Sequence, residues 1–124
     1  MEHELIKKAQ EAMAGSYSPY SNFKVGACLL TKSGKYFTGA NVENASYGLT
    51  VCAERNAIFK AVNAGEKNFE TIAIISSNNQ KFCYPCGACL QVMAEFSGDM
   101  KIIVCKSTKE YHIYTIKDLL PHSF

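Results

Sequence analysis

The sequence predicts a three-layer α/β/α domain built on a five-stranded mixed sheet, and three observations predict it. Hydrophobic periodicity runs along the chain in the order helix, hairpin, helix, strand, helix, hairpin, which is the order of a sheet covered by helices. The last two strands are joined by five residues, too few for a parallel crossover, so they form an antiparallel pair. Two cysteine-bearing segments each fall at a helix start, so they can meet at one end of the sheet. With 124 residues, 48% of them hydrophobic, the chain supports one substantial core. No repeat, low-complexity tract or long Gly/Pro/Ser linker divides it, so residues 1–124 are expected to form a single domain.

Each element has its own signal. Leu5, Ile6, Ala9, Ala12 and Met13 recur at helical spacing and Gly15 follows as a stop, which predicts an amphipathic helix from Glu2 to Ala14. Ser16 to Asn22 reads as a loop leading into a strand from Lys24 to Thr31; the turn Lys32-Ser33-Gly34 then returns the chain through Lys35 to Ala40. Asn41 to Thr50 is polar and reads as irregular. From Cys52 the pattern is helical, with Ala57, Ile58, Ala61 and Val62 on one face and Gly65 as terminator. Thr71 to Ser76 is a short apolar strand, Ser77 to Pro85 a loop, and Gly87 to Phe96 a helix with Cys89 in its first turn. Lys101 to Cys105 and Tyr111 to Thr115 complete the sheet, and Ile116 to Leu120 is a last short helix before Pro121.

Composition narrows the function. Thirteen basic and eleven acidic residues leave a formal charge of +2 with no run of like charge, which argues against an electrostatic grip on nucleic acid and favours a small, weakly charged substrate. No apolar stretch approaches the roughly 20 residues of a membrane helix. Residues 1–12 carry Glu2, Glu4, Lys7, Lys8 and Glu11, unlike a signal peptide, so a cytoplasmic protein is expected. In that setting six cysteines point to metal or thiol chemistry before a disulfide framework.

Two segments concentrate that chemistry: Cys52-Ala53-Glu54-Arg55 and Pro85-Cys86-Gly87-Ala88-Cys89. A Cys-x2-Cys pair at a helix start aims two sulfurs at one point, and a third sulfur from another helix start fills three of zinc's four positions, leaving the fourth for water. Soft thiolates select zinc over magnesium or calcium, and each helix N-terminus favours the thiolate. Three thiolates on one divalent cation leave net negative charge, which Arg55 can offset by donating to the sulfurs. Glu54, two residues after a ligand, has the reach of a general acid/base at the open position.

Together with Tyr20-Ser21-x-Phe23-x-Val25-Gly26-Ala27 and Asn41-Val42-Glu43-Asn44-Ala45-Ser46-Tyr47, these segments resemble the small homotetrameric zinc-dependent cytidine deaminases along nearly the whole chain. The resemblance implies hydrolysis of cytidine, and of deoxycytidine, to uridine and ammonia in pyrimidine salvage. Zinc-bound hydroxide would be the nucleophile and Glu54 the proton shuttle. It assigns Cys52, Cys86 and Cys89 to the metal and Arg55 to the support of their charge. Phe23 would pack on the base, Asn41 and Glu43 would bind the ribose hydroxyls, and Ala53, Tyr47 and Phe124 would complete the substrate contacts. Tyr47 and Phe124 match the positions through which neighbouring subunits of the tetramer would help close each site. A carboxylate at the sugar would repel a phosphate there, which favours a nucleoside over a nucleotide.

The chain departs from the pattern at Leu90, where the family usually has arginine, and at His122-Ser123, where it more often has Gly-Ala. Other readings of the same residues are a deaminase of a modified nucleoside of the blasticidin type, a thioredoxin-like redox pair at Cys86 and Cys89, and a closed structural zinc site in which Cys83 joins the other three thiols. Cys28 and Cys105 lie on apolar strands and read as buried small hydrophobes, and His3, His112 and His122 as packing or surface residues.

Overall fold

The computed structural model describes residues 1–124. Its elements, in chain order, are α1 (Glu2–Ala12), β1 (Val25–Thr31), β2 (Tyr36–Ala40), α2 (Ala53–Asn63), β3 (Phe69–Ser76), α3 (Gly87–Phe96), β4 (Lys101–Cys105), β5 (Tyr111–Thr115) and α4 (Ile116–Leu119). The five strands form one sheet in the order β2-β1-β3-β4-β5. Only β3 and β4 are parallel, joined through α3; the other neighbours are antiparallel. The expected mixed sheet and antiparallel final pair are both present.

Side chains alternate along each central strand and so feed two cores. Leu29, Ile72, Ile74, Ile102 and Val104 point to the face covered by α2 and α3, where Ala57, Ile58 and Met93 meet them. Cys28, Leu30, Ala73, Ile75, Ile103 and Cys105 point to the other face, where Leu5, Ile6 and Ala9 of α1 close the layer. Both faces being buried explains why β3 and β4 read as unbroken apolar runs.

Three departures from the expected elements go beyond a one-residue shift at an end. Helix α1 tightens after Ala12 into a 3₁₀ turn, Met13–Gly15, which swings the chain into the loop before β1. Strand β3 begins at Phe69, two residues early, because Phe69 is fully buried against Phe96. The polar segment from Asn41 to Thr50 is partly ordered. It carries a 3₁₀ turn at Tyr47–Leu49, and Val42 bridges both Tyr17 and Val51.

Register places the functional end of the sheet. Gly26 at the start of β1 pairs with Ala40 at the end of β2 and with Ile75 near the end of β3. The chain therefore leaves β2 and β3 at the same end of the sheet, and both return into helices there. Helix α2 lies directly on β2 at Gly39, where a Cβ would come within 2.5 Å of the Ala53 carbonyl oxygen and 2.6 Å of the Ala57 nitrogen. That close approach sets the height of the first turn of α2. No helix is long and apolar enough to cross a membrane.

Candidate metal centre

Cys52 and Cys86 are the N-cap residues of α2 and α3, and neither side chain caps its own helix, so both sulfurs are free to bind elsewhere. Cys89 stands one turn into α3 and is buried. The Cys52 and Cys86 sulfurs lie 4.0 Å apart and those of Cys86 and Cys89 3.6 Å apart, and all three fall within 4.8 Å of one another. Zinc–sulfur bonds of about 2.3 Å at tetrahedral angles need sulfurs roughly 3.8 Å apart, so the cluster fits a zinc ion with little movement. Cys83 does not belong to the group. It packs against the core, and its backbone N–H donates to the Cys105 carbonyl at 3.0 Å, which does not favour the closed four-thiolate site.

Electrostatics prepare the cluster for a cation. A hydrogen bond from Cys89, followed by Arg55, holds the Cys52 thiol down at about 5, whereas Cys89, as the partner that keeps its proton, is pushed up. The Arg55 Nη2 donates to the Cys52 sulfur at 3.4 Å, as expected from its place in the sequence. Its Nε is buried without a hydrogen-bond partner, so a positive charge is committed to this spot. Leu90 is buried in the core beside α2 and brings no charge, leaving Arg55 as the cation bonded to the sulfurs.

Glu54 is 4% exposed, and burial pushes its carboxyl up to about 7, with the neighbouring Cys52 charge acting in the same direction. A carboxyl poised near neutrality can both take and return a proton. It lines a cavity of about 200 Å³ together with Phe23, Asn41, Ala53, Cys52 and Cys86. Val25, Thr50, Cys83 and Tyr84 complete the wall. Sequence reasoning did not single these four out for the substrate; for Tyr84 the available signal was its place just before the Pro-Cys segment.

The remaining candidates are distributed less tightly. Asn41 is tied into the fold: its Oδ1 accepts from Ser16 Oγ at 2.6 Å and from the Val25 N–H at 2.9 Å, and its Nδ2 donates to the Phe23 carbonyl at 2.8 Å. One amide hydrogen remains for a ligand. Glu43 and Tyr47 line a neighbouring cavity of about 430 Å³ that meets the first at Thr50. The Glu43 carboxylate accepts from the N–H groups of Tyr20 and Ser21 and from the Ser21 hydroxyl, and that hydroxyl bond holds it below its ordinary range. Phe124 lines neither cavity; it is fully exposed, its N–H bonded to the Gln91 Oε1 at 3.3 Å. A wider groove between α1, β2 and α2 contains none of these groups. Its Lys60 and Asn56 donate to the Thr38 and Ala40 carbonyls of β2.

The family model of the cytidine and deoxycytidylate deaminase zinc-binding region matches residues 1–106. The chain belongs to the cytidine deaminase family. Among its family relatives, a cytidine deaminase of Halalkalibacterium halodurans is 47% identical over 97% of this chain and 91% of that protein. A probable cytidine deaminase of Dictyostelium discoideum is 46% identical over 96% of this chain and 80% of its own. The crystal structure of the Burkholderia pseudomallei cytidine deaminase superposes with a TM-score of 0.94 at 44% identity, covering 100% of this chain and 99% of that one. The last match extends the family fold through β5, α4 and the tail.

Proposed function

We propose that the chain is a zinc hydrolase that converts cytidine and water to uridine and ammonia, with residues 1–124 acting as one catalytic domain. The observation that carries this is the juxtaposition of three sulfurs, all within 4.8 Å of one another, with the buried Glu54 on one cavity wall. Cys52, Cys86 and Cys89 would hold the metal, which supplies Lewis-acid activation of water at neutral pH. Glu54 would take one proton from that water and hand it to the ring nitrogen N3, then take the second from the hydroxyl added at C4 and pass it to the departing 4-amino group, so that carbonyl formation and ammonia release balance. Arg55 offsets the thiolate charge. Phe23 packs on the base beside Ala53.

Asn41 and Glu43 accept the sugar end. Both are fixed in place by the bonds described above, and a carboxylate with three donors still has a lone pair for a hydroxyl. Deoxycytidine fits the same assignment, and pyrimidine salvage in the cytoplasm is the matching role. A homotetramer in which Tyr47 and Phe124 serve a neighbouring subunit's cavity accounts for their placement outside this one.

The test is to follow loss of cytidine absorbance as uridine forms on the zinc-loaded protein, with Glu54→Gln as control. Wild type is expected to convert cytidine, while Glu54→Gln keeps its zinc and loses turnover by at least about 10² to 10⁴. Near-native turnover in Glu54→Gln would overturn the role given to that carboxyl. No conversion by zinc-loaded wild type would overturn the reaction.

A further inference from the structure

Two aromatic rings stand on the wall of the 200 Å³ cavity, Phe23 and Tyr84, and both keep solvent-exposed surface, 41% and 52%. Core packing does not account for Tyr84. Its hydroxyl shares a hydrogen bond of 3.1 Å with that of Tyr114 on β5, and the two rings lie 5.8 Å apart, inclined at 49°. Tyr114 in turn packs against the main core. At the other end of the side chain, the buried Pro85 confines the Tyr84 backbone to extended conformations and leads directly into Cys86.

The Tyr84 ring is thus held at both ends, by its backbone and by its hydroxyl, while its surface borders the cavity. A side chain already ordered in this way loses little entropy when a ligand lands on it. Flat heteroaromatic bases have the matching shape, and stacking on aromatic rings is a general way of holding them.

We propose that Tyr84, braced by Tyr114, is a substrate-binding residue whose ring forms, with Phe23, the aromatic wall against which the pyrimidine rests. This rests on the reading of the chain as a nucleoside deaminase. Tyr114 is a positioning residue that acts through the Tyr84 hydroxyl.

The experiment measures uridine binding by calorimetry, which needs no turnover, alongside cytidine kinetics on zinc-loaded protein. Tyr84→Ala is expected to raise both the uridine Kd and the cytidine KM about 10- to 100-fold, with kcat and zinc stoichiometry within about twofold of wild type. Tyr84→Phe and Tyr114→Phe should each raise KM by a smaller, similar factor. The double variant should be no worse than either, because all three remove the same hydroxyl pair. If Tyr84→Ala also loses zinc, Tyr84→Phe against Tyr84→Leu decides: the ring must keep uridine affinity that leucine loses, and equal affinity overturns the proposal. Active wild type with an unchanged KM in Tyr84→Ala overturns the role of Tyr84 and leaves the reaction standing. A zinc-loaded wild type that neither binds uridine nor converts cytidine overturns both.

Discussion

Six cysteines of one chemical type meet opposite fates in this chain, and position decides which. Cys52, at a helix start beside Cys89 and Arg55, is held at about 5 and is a thiolate at neutral pH. Cys105, fully buried on β4, is pushed up by burial to about 12, and Cys28 on β1 to about 11. The buried pair, which stands outside the thiol cluster, therefore carries a stability signature of its own. An unfolded thiol ionises near 9.0 while the folded Cys105 keeps its proton to about 12. In that window the unfolded state binds fewer protons, so stability is fully present below pH 9 and falls as pH rises toward 12, by about 1.4 kcal/mol per unit. Urea unfolding under reducing conditions at pH 8 and pH 10.5 is expected to show Cys105→Ala losing about 2 kcal/mol less than wild type over that interval. Equal losses in the two proteins would mean that the thiol is hydrated in the native state. The sequence showed which cysteines were paired in motifs and which lay on apolar strands, and that set Cys52, Cys86 and Cys89 apart from Cys28 and Cys105; Cys83 stayed open until the fold left it outside the cluster, with its N–H on the Cys105 carbonyl. It did not show that Asn41 and Glu43 are bound so fully to their own loop, because those bonds join residues 16 to 43 that only the fold brings together.

At the scale of elements, the site depends on how closely two helices approach the sheet, and two glycines report this from opposite faces. A Cβ on Gly39 would press on the Ala53 carbonyl at the start of α2, and one on Gly26 would come within 2.0 Å of the Ala9 carbonyl of α1. Either change overpacks a helix–sheet contact and should cost about 1–3 kcal/mol or more. Only the first displaces Cys52 and Glu54. Gly39→Ala is expected to lose both stability and zinc, whereas Gly26→Ala loses stability in denaturant but keeps zinc at wild-type stoichiometry. Full zinc binding by Gly39→Ala would show that the thiol cluster assembles independently of that contact. Periodicity made these helices and all five strands legible, because buried faces impose a regular pattern. It was weaker where tertiary contact overrides local polarity. The turn at Tyr47–Leu49 is held by the bridges of Val42 to Tyr17 and Val51, partners 25 and 9 residues away that no local window compares.

At the scale of the molecule, the single chain is folded to the compactness of a monomer. Its surface of 6796 Å² is close to the roughly 6,600 Å² expected for its 13.7 kDa. Yet Tyr47, Leu49 and Phe124 are 78%, 66% and 110% exposed, and Tyr47 meets Tyr20 edge-on beside the cavity of about 430 Å³. Large apolar side chains left open to solvent mark an interaction surface. In the proposed homotetramer, Tyr47 and Phe124 would cover a partner's cavity and so enclose a substrate there. Phe124 separates this arrangement from a monomeric enzyme, since its ring has no cavity to line within its own chain. Sedimentation equilibrium is expected to find four chains per particle. Phe124→Ala should raise KM for cytidine about tenfold or more while the zinc centre, built within one chain, retains its metal. A monomer with wild-type kinetics in Phe124→Ala would place the whole site within one chain and remove the case for assembly. A tetramer insensitive to that change would keep the assembly but assign the tail no part in enclosing the substrate.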